Sequence, residues 1–384
     1  MNFNTWFNEL QTRTAKNSGA GLVAFKALLE RLGHPQSRYQ IIHVAGTNGK
    51  GTVCTLLAHV LACAGAKTGL FISPHLISPT ERMQINGTEI TTDDFRRVVE
   101  TVLSCAKEPL NLFEILTAAA FVYFAEQNVQ FVVLETGLGG RKDPTNVCVP
   151  VLSIITSIGL DHTRLLGNTL EQIAAEKAGI IKPGVPVLAG GVSSAAKHII
   201  ATTAQEKQAR LTWINTGELP GQAYEQNVRL VSHAAEKLGI DERVLRGALE
   251  TVKLPGRFEV FRHGGKTIIL DGAHNPQAIE NLLSFWCHTP FATQPAAVLC
   301  GFMQDKDYPR MIASLSAYFK KGIVTSPPSL RAADREHLAP LLPSGWKFTI
   351  PVWEAFVAAQ QQADVILVTG SFYLVGAVRG WLGK

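Results

Sequence analysis

Cysteine is scarce and unpatterned. The six present (Cys54, Cys63, Cys105, Cys148, Cys287 and Cys300) form no C-x-x-C pair, which removes the usual signature of a zinc site or a disulfide framework. Several lie in apolar runs and read as buried, reduced thiols. No apolar run approaches the roughly 18 residues of a membrane span. Met1 to Thr14 lacks the apolar stretch of a signal peptide, so a cytoplasmic protein without a membrane partner is expected. Charge is sparse as well: charged residues make up 17% of the chain and the net charge is +5. That is too mild and scattered for a nucleic-acid partner, and compatible with small anionic substrates. Internal repeats and low-complexity tracts are missing, which excludes repeat architectures.

What remains is a chain of 384 residues that is 46% hydrophobic, enough for two α/β domains of ordinary size, each with its own core. It is organised around Ile41-Ile42-His43-Val44-Ala45-Gly46-Thr47-Asn48-Gly49-Lys50-Gly51-Thr52. An apolar, β-branched run ends in a glycine-rich turn, and an Ala- and Leu-rich segment follows from Val53 to Ala64. This order predicts a buried strand, a phosphate loop and a helix. Glycines let backbone N–H groups converge on phosphate oxygens, the helix N-terminus adds partial positive charge, and Lys50 reaches the outer phosphates. The spacing departs from G-x-x-x-x-G-K-[ST]: Val44 stands at the first glycine and Gly51 at the hydroxyl residue. A Mg²⁺ ion there must take an oxygen from elsewhere. The bland alternative is a tight strand-to-helix connection.

Leu22 to Leu32 reads as an amphipathic helix stopped by Gly33 and Pro35. Thr68 to Ile72 reads as a strand, followed by Ser73-Pro74-His75-Leu76, and Asn86-Gly87 marks a hairpin turn. Thr92 is the expected cap of a helix running from Asp93 towards Lys107. Leu112 to Gln127 is apolar nearly all round and is predicted to be a buried helix. Phe131 to Leu134 leads into Glu135-Thr136-Gly137-Leu138-Gly139-Gly140, and Leu152 to Ile158 into Gly159-Leu160-Asp161-His162. Thr169 and Gln172 form a capping-box pattern ahead of a helix carrying Glu176 and Lys177. Alternating strands and helices imply a largely parallel sheet with ligands at the strands' C-terminal ends. Lys50, Ser73, Glu135 and His162 all follow such ends. Leu254-Pro255-Gly256-Arg257 marks a domain boundary, giving domains 1–254 and 255–384. Beyond it strands are predicted at Thr267 to Leu270, Ala296 to Leu299, Ile323 to Thr325 and Val365 to Val368.

Glu135 reads either as a salt-bridged structural acid or as a Mg²⁺ ligand acting with a hydroxyl from Thr52 or Ser73. His162 reads either as a structural histidine or, beside Asp161, as a functional one; imidazole is not the donor Mg²⁺ favours. Sequence physics alone makes Lys177 a surface lysine on an amphipathic helix. Arg257, Asp271 and His274 are candidates for nucleotide contacts in the second domain.

Taken together these segments resemble the folylpolyglutamate synthase/dihydrofolate synthase family, a branch of the Mur ligases, over nearly the whole chain. The resemblance rests on Ala45-Gly-Thr-Asn-Gly-Lys-Gly-Thr52, Ser73-Pro-His-Leu76, Glu81-Arg82, Phe113-Glu114, Glu135-Thr-Gly-Leu-Gly-Gly-Arg141, Thr156-Ser-Ile-Gly-Leu-Asp-His-Thr163, Glu176-Lys-Ala-Gly-Ile-Ile-Lys182, Leu254-Pro-Gly-Arg-Phe258, Asp271-Gly-Ala-His-Asn-Pro276, Asp305-Lys-Asp307 and Gly370-Ser371. It implies a phosphate-loop domain of Mur-ligase type with a mostly parallel sheet, and a smaller Rossmann-like C-terminal domain. It also implies ATP-dependent joining of L-glutamate to dihydropteroate, or to reduced folates, through an acyl phosphate.

By the same resemblance, Gly46, Thr47, Asn48, Gly49, Lys50, Gly51 and Thr52 contact ATP, as do Asn227, Arg257, Asp271 and His274. Ser73, Glu135 and His162 ligate Mg²⁺, with Ser73 supplying the hydroxyl that Gly51 lacks. Lys177 matches the family's carbamylated lysine and helps to organise a second Mg²⁺; K⁺ is a further cation the family allows. Lys50, His162 and Lys177 are the catalytic set. The pterin pocket falls on Asn111, Leu112, Phe113 and Glu114 and on Lys142, Asp143 and Pro144, with Phe113 stacking on the ring and Asp143 hydrogen-bonding it. A monomer is implied.

Pro144 stands where family members usually carry a small residue, Asn111 where threonine is commoner, and the stretch from Gly190 to Gln222 is shorter than typical. Two other readings stay open: a Mur-type ligase for a different carboxylate, and a non-catalytic ATP-binding paralogue.

Overall fold

The structure, a computed structural model, describes residues 1–214 and 223–383. The chain divides into two compact units, Met1–Thr216 with Glu225–Val252 and Gly217–Tyr224 with Lys253–Lys384. No helix among the described residues is long and apolar enough to cross a membrane.

The first unit is built on an eight-stranded sheet of β1 (Gln40–Ala45), β2 (Thr68–Phe71), β3 (Met83–Ile85), β4 (Thr88–Glu89), β5 (Phe131–Glu135), β6 (Leu152–Ile155), β7 (Val187–Ala189) and β8 (Leu211–Trp213), in the order β4-β3-β2-β5-β1-β6-β7-β8. β2, β5, β1, β6, β7 and β8 run parallel. β3 and β4 form an antiparallel hairpin at one edge, turning at Asn86-Gly87 as expected. The central strands are buried on both faces, which is why they read as continuous β-branched runs rather than alternating ones.

Register fixes the faces. Phe71, Leu134, His43 and Ser153 lie side by side, and Leu70, Val133, Ile42 and Leu152 share the other face. Ile41, Phe71, Val132 and Leu134 pack into one core with the helix Leu112–Glu126, whose residues from Glu114 to Ala125 are all buried. Side chains such as Leu116, Phe121 and Phe124 contribute about 1.5–3 kcal/mol each when fully buried. The helix Lys50–Cys63 packs on β1, β2 and β5.

Two expectations need correcting. The helix over residues 92–105 is capped by Thr91, whose side chain accepts from Asp94 N, so Thr92 is its first helical residue. The run from Leu152 to Ile158 leaves the sheet after Ile155, because Thr156 and Ser157 turn to bind the phosphate loop. The stretch from Gly190 to Gln222, read as shorter than typical, follows β7 and holds a helix Ser194–Glu206 and β8; its part from 215 to 222 lies outside the described residues.

The second unit is a six-stranded sheet of β9 (Glu259–His263), β10 (Lys266–Leu270), β11 (Ala296–Cys300), β12 (Lys321–Val324), β13 (Trp346–Phe348) and β14 (Val365–Thr369), ordered β13-β12-β11-β14-β10-β9. Only β9 is antiparallel to its neighbour. Its carboxylate at Glu259 takes a forked hydrogen bond from Arg379 (Nε to Oε2 2.9 Å, Nη2 to Oε1 3.1 Å) and one from Gly256 N. This ties the helix Phe372–Leu382 to the edge strand. Glu259→Ala is expected to lower the stability of this unit by about 1–2 kcal/mol, since the pair is bidentate yet partly solvated. Chemical denaturation should show the shift, and an unchanged midpoint would contradict it.

Candidate active site

β1 ends at Ala45, and Gly46 follows at φ +155°, where an added Cβ would fall 1.9 Å from Thr156 Oγ1. Only glycine lets the loop approach the segment after β6 this closely. Gly49 caps the helix Lys50–Cys63 at φ +86°. Between them the loop is clamped to residues 156–159: Thr47 N donates to Ser157 O at 2.8 Å, and Thr47 Oγ1 both donates to Gly159 O and accepts from Gly159 N. Asn48 N donates to Ser157 Oγ, while Thr156 Oγ1 donates to Asn48 O at 2.6 Å. The loop is thus fixed by its own chain. The first-turn N–H groups of the following helix have no intrahelical acceptor, an arrangement suited to an anion.

Two lysine amines meet at this loop. Lys50 Nζ donates to Gly46 O and Thr47 O at 3.1 and 3.2 Å, and Lys177 Nζ donates to the same Gly46 O at 2.7 Å. Lys177 is only 4% exposed. It is therefore not the surface lysine that its helix pattern alone suggests. Ile173, Ala174, Lys177 and Ala178 form the buried stripe of the helix Leu170–Ala178, with the Thr169–Gln172 capping box at its start. Lysine occupies a core position of that stripe, and a buried amine needs a polar partner, which the loop carbonyl supplies.

Glu135 closes β5 opposite Val44 and is 3% exposed. Its Oε2 accepts from Ser73 N at 2.9 Å, so the ends of β2 and β5 are joined at this acid. The Ser73 loop is braced in turn: Glu81 accepts from the N–H groups of Leu76, Ile77 and Ser78, and Ile72 N donates to Arg82 O. Arg82 Nε donates to His75 Nδ1 at 2.9 Å, and burial together with the Arg82 charge pulls His75 down to about 3. These contacts explain Glu81-Arg82 as a brace for Ser73. His162, at φ +50°, opens the short helix Thr163–Leu166 and donates its N–H to Asp161 Oδ1. It lies three residues beyond Gly159, on the segment that clamps Thr47.

Asn227, on the helix Ala223–Lys237, lies against the loop: a Cβ on Gly49 would sit 2.5 Å from Asn227 Oδ1. The preceding Gln226 donates to Thr156 O at 3.1 Å, bracing the clamp from outside. Sequence reading passed over Gln226. Its signal is adjacency to Asn227, but the partner is 70 residues away in the chain.

The other candidate group forms a second cluster in the same unit. Asn111 and Glu114 make a reciprocal capping box at the start of the helix Leu112–Glu126, and Glu114 also accepts from Ala20 N and Gly21 N. The segment at Ala20–Gly21, another feature passed over, therefore closes on this helix end. Leu112 is half-buried at the first helical position, and the Phe113 ring lies on Gly137 and 5.9 Å from Phe71. Asp143 caps the short turn Pro144–Val147, accepting from Thr145 N and Oγ1 and, at Oδ2, from Leu138 N. Burial nonetheless raises the Asp143 carboxyl above the usual range. Pro144 is a first-turn residue, where a missing N–H donor costs no helix hydrogen bond. Lys142 is exposed.

In the second unit, Asp271 accepts from Phe258 N and Ala273 N, both at 2.9 Å. Burial raises its carboxyl, opposed by the charge of Arg257. The Arg257 guanidinium lies 4.6 Å from the Phe372 ring centroid, and His274 packs on the same ring at 5.4 Å. Arg257 and His274 therefore meet at Phe372, a residue that sequence reading did not single out, and Asp271 feels the charge of Arg257.

Two family descriptions match the chain: the Mur ligase middle domain over residues 44–261, and the Mur ligase glutamate ligase domain over residues 256–372. The dihydrofolate synthase/folylpolyglutamate synthase of Bacillus subtilis is 33% identical over 94% of either chain. The chain belongs to the folylpolyglutamate synthase/dihydrofolate synthase family of Mur ligases.

Among solved members of the family, the E. coli FolC structure in complex with DHPP and ADP superposes with a TM-score of 0.90 at 30% identity, covering 100% of this chain and 98% of that one. A Yersinia pestis bifunctional folylpolyglutamate synthase/dihydrofolate synthase complexed with AMPPNP and Mn gives 0.89 at 31% identity, covering 100% and 98%. The loop, Lys177, Glu135, His162 and Asn227 all fall in the middle-domain segment of this family member, and Asp271 and His274 in its glutamate ligase segment.

Proposed function

We propose that the chain is an ATP-dependent ligase that joins L-glutamate to dihydropteroate and extends reduced folates by the same chemistry. The observation that carries this reading is the buried Lys177 amine on the Gly46 carbonyl beside Lys50, at a loop shaped for phosphates. A carboxylate oxygen of the pteroate attacks the γ-phosphorus of ATP and the bond to ADP breaks. The glutamate amine then attacks the acyl carbon, loses a proton, and phosphate departs with the former carboxylate oxygen. In the first unit Gly46 to Thr52 and Asn227 hold ATP; in the second, Arg257, Asp271 and His274 are its contacts.

Ser73, Glu135 and His162 are the proposed Mg²⁺ ligands. At Glu135 and Ser73 the donors suit the ion, a buried carboxylate beside a serine, whereas the His162 imidazole is a less usual donor for it. Mg²⁺ favours oxygen donors and completes its shell with water and phosphate oxygens. When bound, the ion neutralises phosphate charge during transfer. Lys177 is the proposed carbamylated residue at a second metal position; carbamylation needs the neutral amine, which burial favours. K⁺ is a further proposed cation.

Phe113, with Asn111, Leu112 and Glu114, and Lys142, Asp143 and Pro144 form the proposed pterin pocket. We take the domains as 1–254 and 255–384, and the enzyme as a cytoplasmic monomer.

Purified protein with MgATP and L-glutamate should release phosphate only when dihydropteroate or a reduced folate is added, with a glutamylated product of matching mass. Phosphate release that ignores the pteroate, or needs a different acid, would overturn the assignment.

A further inference from the structure

His43 is fully buried in the middle of β1, between Leu134 and Ser153 of the neighbouring strands, and no step of the ligation uses it. Its Nε2 lies 2.8 Å from Thr145 Oγ1. With Asp143 ionised, that hydroxyl donates its only proton to Asp143 Oδ1, so at His43 it accepts. The tautomer follows: the proton is on Nε2, and Nδ1 is a bare acceptor, buried and without a partner. The direction of donation is therefore fixed from ring to hydroxyl to carboxylate. A hydroxyl that accepts a hydrogen bond becomes a better donor, so the imidazole strengthens the bond to Asp143.

The turn carrying Thr145 is held from other sides as well. Asn146 Nδ2 donates to Arg141 O and Gly179 O, and Lys182 Nζ donates to Asn146 O. None of these contacts reaches the carboxylate. On its other oxygen Asp143 accepts from Leu138 N, next to the Gly137 on which Phe113 lies.

We propose that His43 is a positioning residue for the pteroate: acting through Thr145, it fixes the Asp143 carboxylate and with it the Gly137–Leu138 turn. The inference rests on the assignment of Asp143 and Phe113 to the pterin pocket. Burial, assisted by the Lys182 charge, pushes His43 down to about 3, so the ring stays neutral in ordinary buffers.

The test compares Thr145→Val, Thr145→Ser, His43→Leu, His43→Gln and Asp143→Asn by steady-state kinetics, with thermal melting as the check on folding. Thr145→Val keeps the shape and loses the relay. It should raise KM for dihydropteroate about tenfold, the scale of one hydrogen bond to a charged group, and leave KM for ATP within twofold. Thr145→Ser and His43→Gln each retain a donor at the required place and should restore most of the loss. His43→Leu should match Thr145→Val, and the double variant should be no worse than either single one. If His43→Leu and Thr145→Val change KM for ATP or kcat but not KM for the pteroate, or if their effects add, the relay is wrong. Asp143→Asn separates the two levels. If it raises KM for the pteroate while the relay variants do not, the relay alone fails. If Asp143→Asn has no effect, the pocket assignment fails and the relay with it.

Discussion

Lys177→Ala is expected to abolish turnover while MgATP binding persists within a few-fold. The two consequences separate because Lys177 shares its acceptor. Lys50 still donates to Gly46 O and Thr47 O, and the clamp from Thr156 to Gly159 still holds the loop when the Lys177 amine is removed. What is lost is the buried nitrogen that bears the proposed carbamate. Arginine does not repair it, because a guanidinium remains charged and does not form that adduct, so Lys177→Arg should be as inactive as the alanine variant. Nucleotide binding by calorimetry beside a product assay checks both halves. Full activity of either variant contradicts the role of Lys177.

Glu135→Gln is the second large effect. The side-chain amide keeps an oxygen acceptor for Ser73 N and nearly the same volume, so the join between β2 and β5 survives. It loses the charge that a divalent ion requires. A metal supplies several kcal/mol of charge stabilisation in phosphoryl transfer, so kcat/KM should fall by roughly 10³-fold, or about 4 kcal/mol. The Mg²⁺ concentration for half-maximal rate should rise, with little change in melting temperature. A variant with wild-type Mg²⁺ dependence would show Glu135 to be only a strand-end acid.

Much of this site could be read from the chain because parallel strands buried on both faces leave continuous apolar runs. Each of those runs stops at a residue with chemistry: Gly46 after β1, Ser73 after β2, Glu135 at the end of β5. Local turn chemistry was equally legible at Asn86-Gly87 and in the Thr169–Gln172 capping box. Features that depend on distant partners were not. Thr91 and Thr92 are indistinguishable as caps until one asks which hydroxyl meets Asp94 N. Nothing local in the Lys177 helix says that its stripe, lysine included, faces inward; the Gly46 carbonyl that receives it lies 131 residues earlier. The edge strand β9, partly exposed along its length, lacks the apolar run that marked its neighbours, and Arg379 holds it from 120 residues away. His43 reads from the sequence only as a strand residue, because the Thr145 it meets lies 102 residues later in the chain.

The most direct measurement follows one oxygen atom. Dihydropteroate labelled with ¹⁸O in its carboxylate, incubated with the protein, MgATP and L-glutamate, should pass one labelled oxygen into each phosphate released, detected by mass spectrometry or by the ³¹P isotope shift. Labelled phosphate formed in step with the glutamylated product is the predicted result. Product accompanied by unlabelled phosphate would mean that the carboxylate never bonded to the γ-phosphorus, and would contradict the acyl-phosphate ligase.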